Sequence, residues 1–160
     1  MKKSIKIYYE EVDSISELPP NDQELMQEAM HATEGAYAPY SGFRVGAAVR
    51  MDNGMIVRGS NQENIAYPSG LCAERTAMYA ASAQHPGREI KELAIIGKNE
   101  KGEWTTASPC GACRQVMAEY EQRSGEKMRI LTYMEGGKIQ LFDGIESLLP
   151  FIFTIDLEKK

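Results

Sequence analysis

Three cysteines and two histidines are all the thiol and imidazole ligands this 160-residue chain possesses. So small and odd a cysteine count excludes the disulfide framework of a secreted mini-domain. Positive charge is also short, since 18 Lys and Arg against 23 Asp and Glu leave a net charge of −5 at pH 7. Nucleic-acid-binding domains normally carry a basic stripe, so no nucleic-acid partner is expected. No run approaches the ~20 apolar residues of a membrane span. The opening "MKKSIKIYYEEV" also lacks the unbroken apolar core of a signal peptide. The expectation is a cytoplasmic globular protein with no membrane partner. An apolar content of 42% with 26% charge suffices for one well-filled domain of this length.

Residues 4–9, "SIKIYY", alternate apolar and polar and predict an added edge strand. Pro19-Pro20 closes the acidic connector that follows. Asn21, three positions before Glu24, reads as a capping box opening a helix through about Gly35. "VGAAVRMDNGMIVRGS" predicts two strands joined at Asn53-Gly54, a strong hairpin signal. A helix is expected from about Leu71 to Gln84, where His85-Pro86-Gly87 stops it. "KELAIIGKN" is a short buried strand, and "EKGEWTTA" returns by a loop. A further helix carries "SPCGACRQVMAEYEQR", with Ser108 as cap and Pro109 at its first position. "MRILTYM" and "KIQLF" make two more strands around Gly136-Gly137, and "GIESLLP" is a short helical turn. The pattern is one sheet with helices packed against it.

Cys110 and Cys113 stand three apart, so in a first helical turn they share a face. A structural zinc site would need two more ligands, and after Cys72 only His31 or His85 could serve. A dithiol redox pair at a helix start is chemically sound but leaves Cys72 and Glu74 without a role. Taking all three thiols together gives three ligands and an open fourth position, the mark of catalytic zinc. Such a metal pulls the pKa of bound water toward ~7. Glu74, two residues after Cys72, can then carry protons if Cys72 sits at the very end of the helix. Within a regular helix, positions two apart diverge by roughly 200°.

"CAE" at 72–74 and "PCGAC" at 109–113 resemble the zinc-dependent nucleoside deaminases, specifically the small cytidine deaminases. "YAPYSGFRVGAAV" and "NQEN" are also similar to that family's first loop and strand and its Asn-x-Glu-Asn segment. The resemblance implies a three-layer α/β/α fold around a mixed five-stranded sheet. It covers roughly residues 22–153, which makes 21–160 a single catalytic domain and 1–20 an N-terminal extension.

The implied activity is hydrolytic deamination of cytidine and deoxycytidine to uridine and deoxyuridine plus ammonia, within pyrimidine salvage. One zinc per chain would be held by Cys72, Cys110 and Cys113. Glu74 would protonate N3 of the base and then the leaving amine. The resemblance further implies that Phe43, Tyr67 and Ala73 line the nucleoside pocket while Asn61 and Glu63 hold the ribose hydroxyls. Arg75 would temper the charge of three thiolates. The apolar tail "LLPFIFTI", 148–155, would be a liability on a monomer. In the family it completes a neighbour's pocket, with Phe153 as the aromatic, which implies a homotetramer. Relatives that act on cytosine-bearing antibiotics share the "CAE" and "PCGACR" elements, and the Asn61/Glu63 pair favours an ordinary ribose.

Overall fold

The computed structural model describes residues 1–156, and within them the order of elements follows from hydrophobic periodicity. Strand β1 is Glu10–Val12, and helix α1, Pro20–Ala32, precedes the hairpin of β2 (Arg44–Met51) and β3 (Ile56–Ser60). Helix α2 (Ala73–Gln84) leads to β4 (Ile90–Lys98) and to the two-residue β5 (Trp104–Thr105). Helix α3 (Gly111–Ser124) is followed by β6 (Arg129–Tyr133) and β7 (Ile139–Asp143). The sheet order is β1-β7-β6-β4-β2-β3, with β5 pairing off β4.

Period-two alternation distributes the core between two faces. Leu93 and Ile95 of β4 join Ala77, Met78 and Met117 from the α2/α3 side. Their neighbours Ala94 and Ile96 point the other way, onto Leu25, Met26 and Ala29 of α1. The three layers are therefore α1, the mixed sheet, and α2 with α3.

The expected five strands are present as β2, β3, β4, β6 and β7, and the structure adds two. Residues 104–105 were expected in a loop, but they pair with Gly97 and Lys98. The N-terminal edge strand exists, yet it is Glu10–Val12 on β7 and not residues 4–9. Alternation specifies an extended chain, whereas a ladder also requires a partner. Beyond Glu10 the ring of Tyr9 packs on Phe142 at 5.6 Å, and the Tyr8 carbonyl accepts a bond from Ser147 Oγ at 3.3 Å.

Two helix starts also differ from expectation. Helix α1 begins at Pro20 with no side-chain cap, because proline at the first position has the helical φ already set. Asn21 and Glu24 are engaged elsewhere: the Asn21 carbonyl and the Glu24 carboxylate both accept from Arg50. Helix α3 starts at Gly111, so Cys110, not Ser108, is its cap residue. The Asn53-Gly54 hairpin forms as expected, with Gly54 supplying a φ of +84°.

Topology positions the functional end of the molecule. Strand β2 is antiparallel to both β3 and β4, and β4 is parallel to β6. Helices α2 and α3 are therefore both crossovers between parallel strands, and both begin at the same end of the sheet. Helix α2 also lies unusually close to β3. A Cβ on Gly59 would stand 2.3 Å from the Ala77 amide nitrogen and 2.6 Å from the Ala73 carbonyl oxygen. No described helix is long and apolar enough to cross a membrane.

Gly59→Ala should thus force backbone apart, not merely a side chain. Urea unfolding is expected to show a loss of about 1–3 kcal/mol, the range for overpacking. Wild-type stability in that variant would mean that the helix–strand approach is looser than described.

Candidate metal centre and nucleoside pocket

The shared end of α2 and α3 is where the thiols meet. Cys72 and Cys110 are the N-cap residues of the two helices, both with extended backbone (ψ 153° and 167°). Neither side chain caps its own helix, which leaves each Sγ free to point away from it. Cys113 sits one turn into α3 and is fully buried. Cys72 Sγ lies 3.7 Å from Cys110 Sγ, which lies 3.5 Å from Cys113 Sγ. All three sulfurs fall within 4.8 Å of one another, and no histidine joins them among the described residues.

Thiolates bound at ~2.3 Å to a tetrahedral zinc stand about 3.8 Å apart, so this spacing fits the ion. Charge argues the same way. A hydrogen bond from Cys113 holds the Cys72 thiol down at about 5, helped by Arg75 and Cys110 and opposed by burial. Cys113, giving its proton to that bond and buried besides, is pushed upward. A thiolate on Cys72 thus opposes one on Cys113, and a cation among the sulfurs relieves that opposition. The first-turn amides of two helices contribute partial positive charge at the same place.

Glu74, in the first turn of α2, is only 4% exposed. Burial is the largest influence on its carboxyl, raising it to about 7; the Cys72 charge adds to the rise, while its own backbone amide and Arg75 oppose it. Arg75 Nη2 donates to Cys72 Sγ at 3.4 Å, and its Nε is buried without a hydrogen-bond partner. The bond to Cys72 raises the guanidinium pKa further, so it stays charged.

A cavity of about 450 Å³ opens beside these groups, within the size range of small-molecule sites. Phe43, Asn61, Glu63, Tyr67, Cys72 and Arg75 all line it, together with Tyr40 and Ser41. Its wall is the loop between β3 and α2. That loop is closed by reciprocal backbone bonds between Gln62 and Leu71 at 2.9 Å and tied to the Tyr37 backbone through Asn61 and Glu63. Asn61 Oδ1 accepts from the Val45 amide at 2.8 Å, and its Nδ2 donates to the Phe43 carbonyl at 2.9 Å. Glu63 accepts from the Ser41 amide and, at 2.9 Å, from the Ser41 hydroxyl.

Of the other sequence-derived candidates, Ala73, Glu74, Cys110 and Cys113 do not line the cavity, and Phe153, expected at a neighbour's pocket and not its own, is 81% exposed. Sequence reasoning missed Tyr40, Ser41 and the role of Arg114. Ser41 had one available signal, a hydroxyl two residues before Phe43 whose amide it caps at 3.1 Å. Arg114 donates to the carbonyls of Pro109 (2.8 Å) and Leu148 (2.7 Å), linking the loop before Cys110 to the C-terminal tail. The latter contact joins residues 34 apart, beyond any local pattern.

Comparison with known proteins agrees with this geometry. The profile of the cytidine and deoxycytidylate deaminase zinc-binding region matches residues 19–124. The chain belongs to the cytidine and deoxycytidylate deaminase family. It is 46% identical over 132 residues to the cytidine deaminase of Sporosarcina psychrophila, covering 82% of this chain and 90% of that one. The cytidine deaminase of Halalkalibacterium halodurans is 46% identical over 97 residues, 61% of this chain and 70% of that one. The solved cytidine deaminase of Burkholderia pseudomallei superposes with a TM-score of 0.70 at 37% identity, over 81% of this chain and 97% of that chain. Membership in this deaminase family makes zinc the cofactor, and the three thiols are the donor set suited to it.

Replacing Cys113 by serine removes the buried donor of the three. Metal analysis of Cys113→Ser should find zinc reduced to a small fraction of the wild-type content of about one per chain. Full retention would show that the ion is held elsewhere.

Proposed function

We propose that this chain deaminates free cytidine and deoxycytidine by hydrolysis, giving uridine or deoxyuridine and ammonia, in pyrimidine salvage. The observation that carries the proposal is a buried carboxyl, Glu74, two residues from Cys72, which is one of three convergent thiols and itself lines a nucleoside-sized cavity. Cys72, Cys110 and Cys113 would hold the zinc ion, which would supply a bound water with its pKa lowered toward ~7.

Glu74 does the proton work. With its carboxyl raised to about 7 by burial, both protonation states are accessible near neutrality. Starting ionised, Glu74 takes one proton from the water as its oxygen adds at C4 and passes that proton to N3 of the cytosine ring. It then takes the second proton, from the hydroxyl now on C4, and delivers it to the exocyclic nitrogen, which leaves as ammonia as the C4 carbonyl forms. One water is consumed, and Glu74 ends as it began. A structural zinc site has no use for such an acid, and a buried carboxyl without a task would be a net cost.

Arg75 offsets the excess charge of three thiolates on one dication by donating to Cys72 Sγ. The aromatic side chains of Phe43 and Tyr67, both lining the cavity, flank the base, and Ala73 is the chain neighbour of the lining residue Cys72. Hydrogen-bonding capacity supports ribose binding. After its bonds to Val45 and Phe43, Asn61 keeps one amide hydrogen and one oxygen lone pair. Glu63 likewise keeps acceptor capacity on Oε2 beyond its bonds to Ser41.

The finer reading extends to assembly. Phe153 stands 81% exposed on the surface, and Cys110 is exposed on the single chain. Both observations support a homotetramer in which Phe153 closes a neighbour's pocket. Residues 21–160 act as the catalytic domain and 1–20 as an extension, supported by the family match beginning at residue 19. Three free thiols favour a reducing compartment, the cytoplasm.

In Glu74→Gln the zinc content should stay at about one per chain while kcat for cytidine falls about 10²–10⁴-fold, the usual worth of a positioned acid–base group. Following the ultraviolet change as cytidine becomes uridine gives the rate. Wild-type kcat in that variant would refute Glu74 as the proton carrier.

A further inference from the structure

Helix α3 grips the C-terminal arm by its main chain. Gln115 Nε2 donates to the Phe153 carbonyl at 2.7 Å, and Gln122 Nε2 donates to the Ile155 carbonyl at 2.6 Å. Gln122 is engaged twice, since its Oε1 accepts from Thr154 Oγ1 at 2.6 Å. The two glutamines are seven apart, two turns of one helix face. Along the arm the side chains alternate: Ile152 and Thr154 line a groove against α3, while Phe151 and Phe153 are 84% and 81% exposed.

We infer that Gln115 and Gln122 are positioning residues that fix the arm so that Phe153 is presented, ready-oriented, to the nucleoside pocket of a second copy of this chain. The inference rests on the reading of Phe153 given above and adds what sets its direction. Bonds to exposed carbonyls are each weak, so they contribute little to the stability of the fold. Their effect is on the arm's freedom. An unheld arm would lose that freedom each time Phe153 closed over a nucleoside, and α3 removes this cost in advance. At Gln122 the hydrogen bonds also explain the choice of glutamine over a charged residue. Its amide can donate to a carbonyl and accept from Thr154 at the same time, which neither lysine nor an ionised glutamate can do.

The test is a double-mutant cycle on the zinc-loaded enzyme. Gln115→Ala/Gln122→Ala should raise KM for cytidine about two- to ten-fold, the cost of freeing one or two ordered side chains, with kcat, zinc content and urea midpoint unchanged. Gln115→Glu, equal in size but unable to donate when ionised, should raise KM as well. Phe153→Ala should raise KM, and adding the glutamine substitutions to it should change nothing further. Equal KM effects in both backgrounds would overturn the positioning role, as would an unchanged KM in the glutamine variant. An unchanged KM in Phe153→Ala would overturn the reading of Phe153 itself, and with it the inference; the two failures are distinct in the data.

Discussion

The site exists because two crossover helices must start at the same end of one sheet. Strand β2 runs antiparallel to β3 and β4, and β4 runs parallel to β6, so α2 and α3 each leave a strand and return alongside. Their N-termini are thereby brought together, and with them Cys72 and Cys110, 38 residues apart in the chain. Glu74 is buried because it lies in the first turn of α2, behind one of those termini. The cavity wall is the loop that feeds α2, and the arm that carries Phe153 lies along α3.

This arrangement concentrates unfavourable charge. A buried carboxyl and three thiols share one small volume, where the charge of a Cys72 thiolate pushes both Glu74 and Cys113 upward. Two helix termini, Arg75 and the zinc ion together supply the compensating positive charge. The sheet bears the strain of holding them together. Leu93, Ile95, Met78 and Met117 are fully buried directly behind the site, and each such side chain is worth about 1.5–3 kcal/mol on burial.

Much of this was legible in the sequence because it depends on local chemistry. The Asn53-Gly54 turn, the apolar run of β4, and cysteine beside glutamate at a helix start are all short-range signals. The required condition on Cys72, that it end its helix, is met in the structure. The features that escaped depend on partners. The edge strand fell at Glu10–Val12 because β7 offers its ladder there. The cap of α3 moved to Cys110, with the Pro109 carbonyl held by Arg114. Residues 104–105 became a strand because Gly97 and Lys98 were unpaired on that side. A role for Phe153 beyond its own chain came from the family resemblance, whereas the glutamines that hold the backbone of its arm bond across more than 30 residues.

Zinc content and cytidine turnover, measured on the same purified sample, test the central claim most directly. About one zinc per chain, with conversion of cytidine to uridine that is lost when the ion is removed and restored when it is returned, is the predicted result. Protein that is fully active without zinc, or fully loaded yet inert toward both cytidine and deoxycytidine, would contradict it.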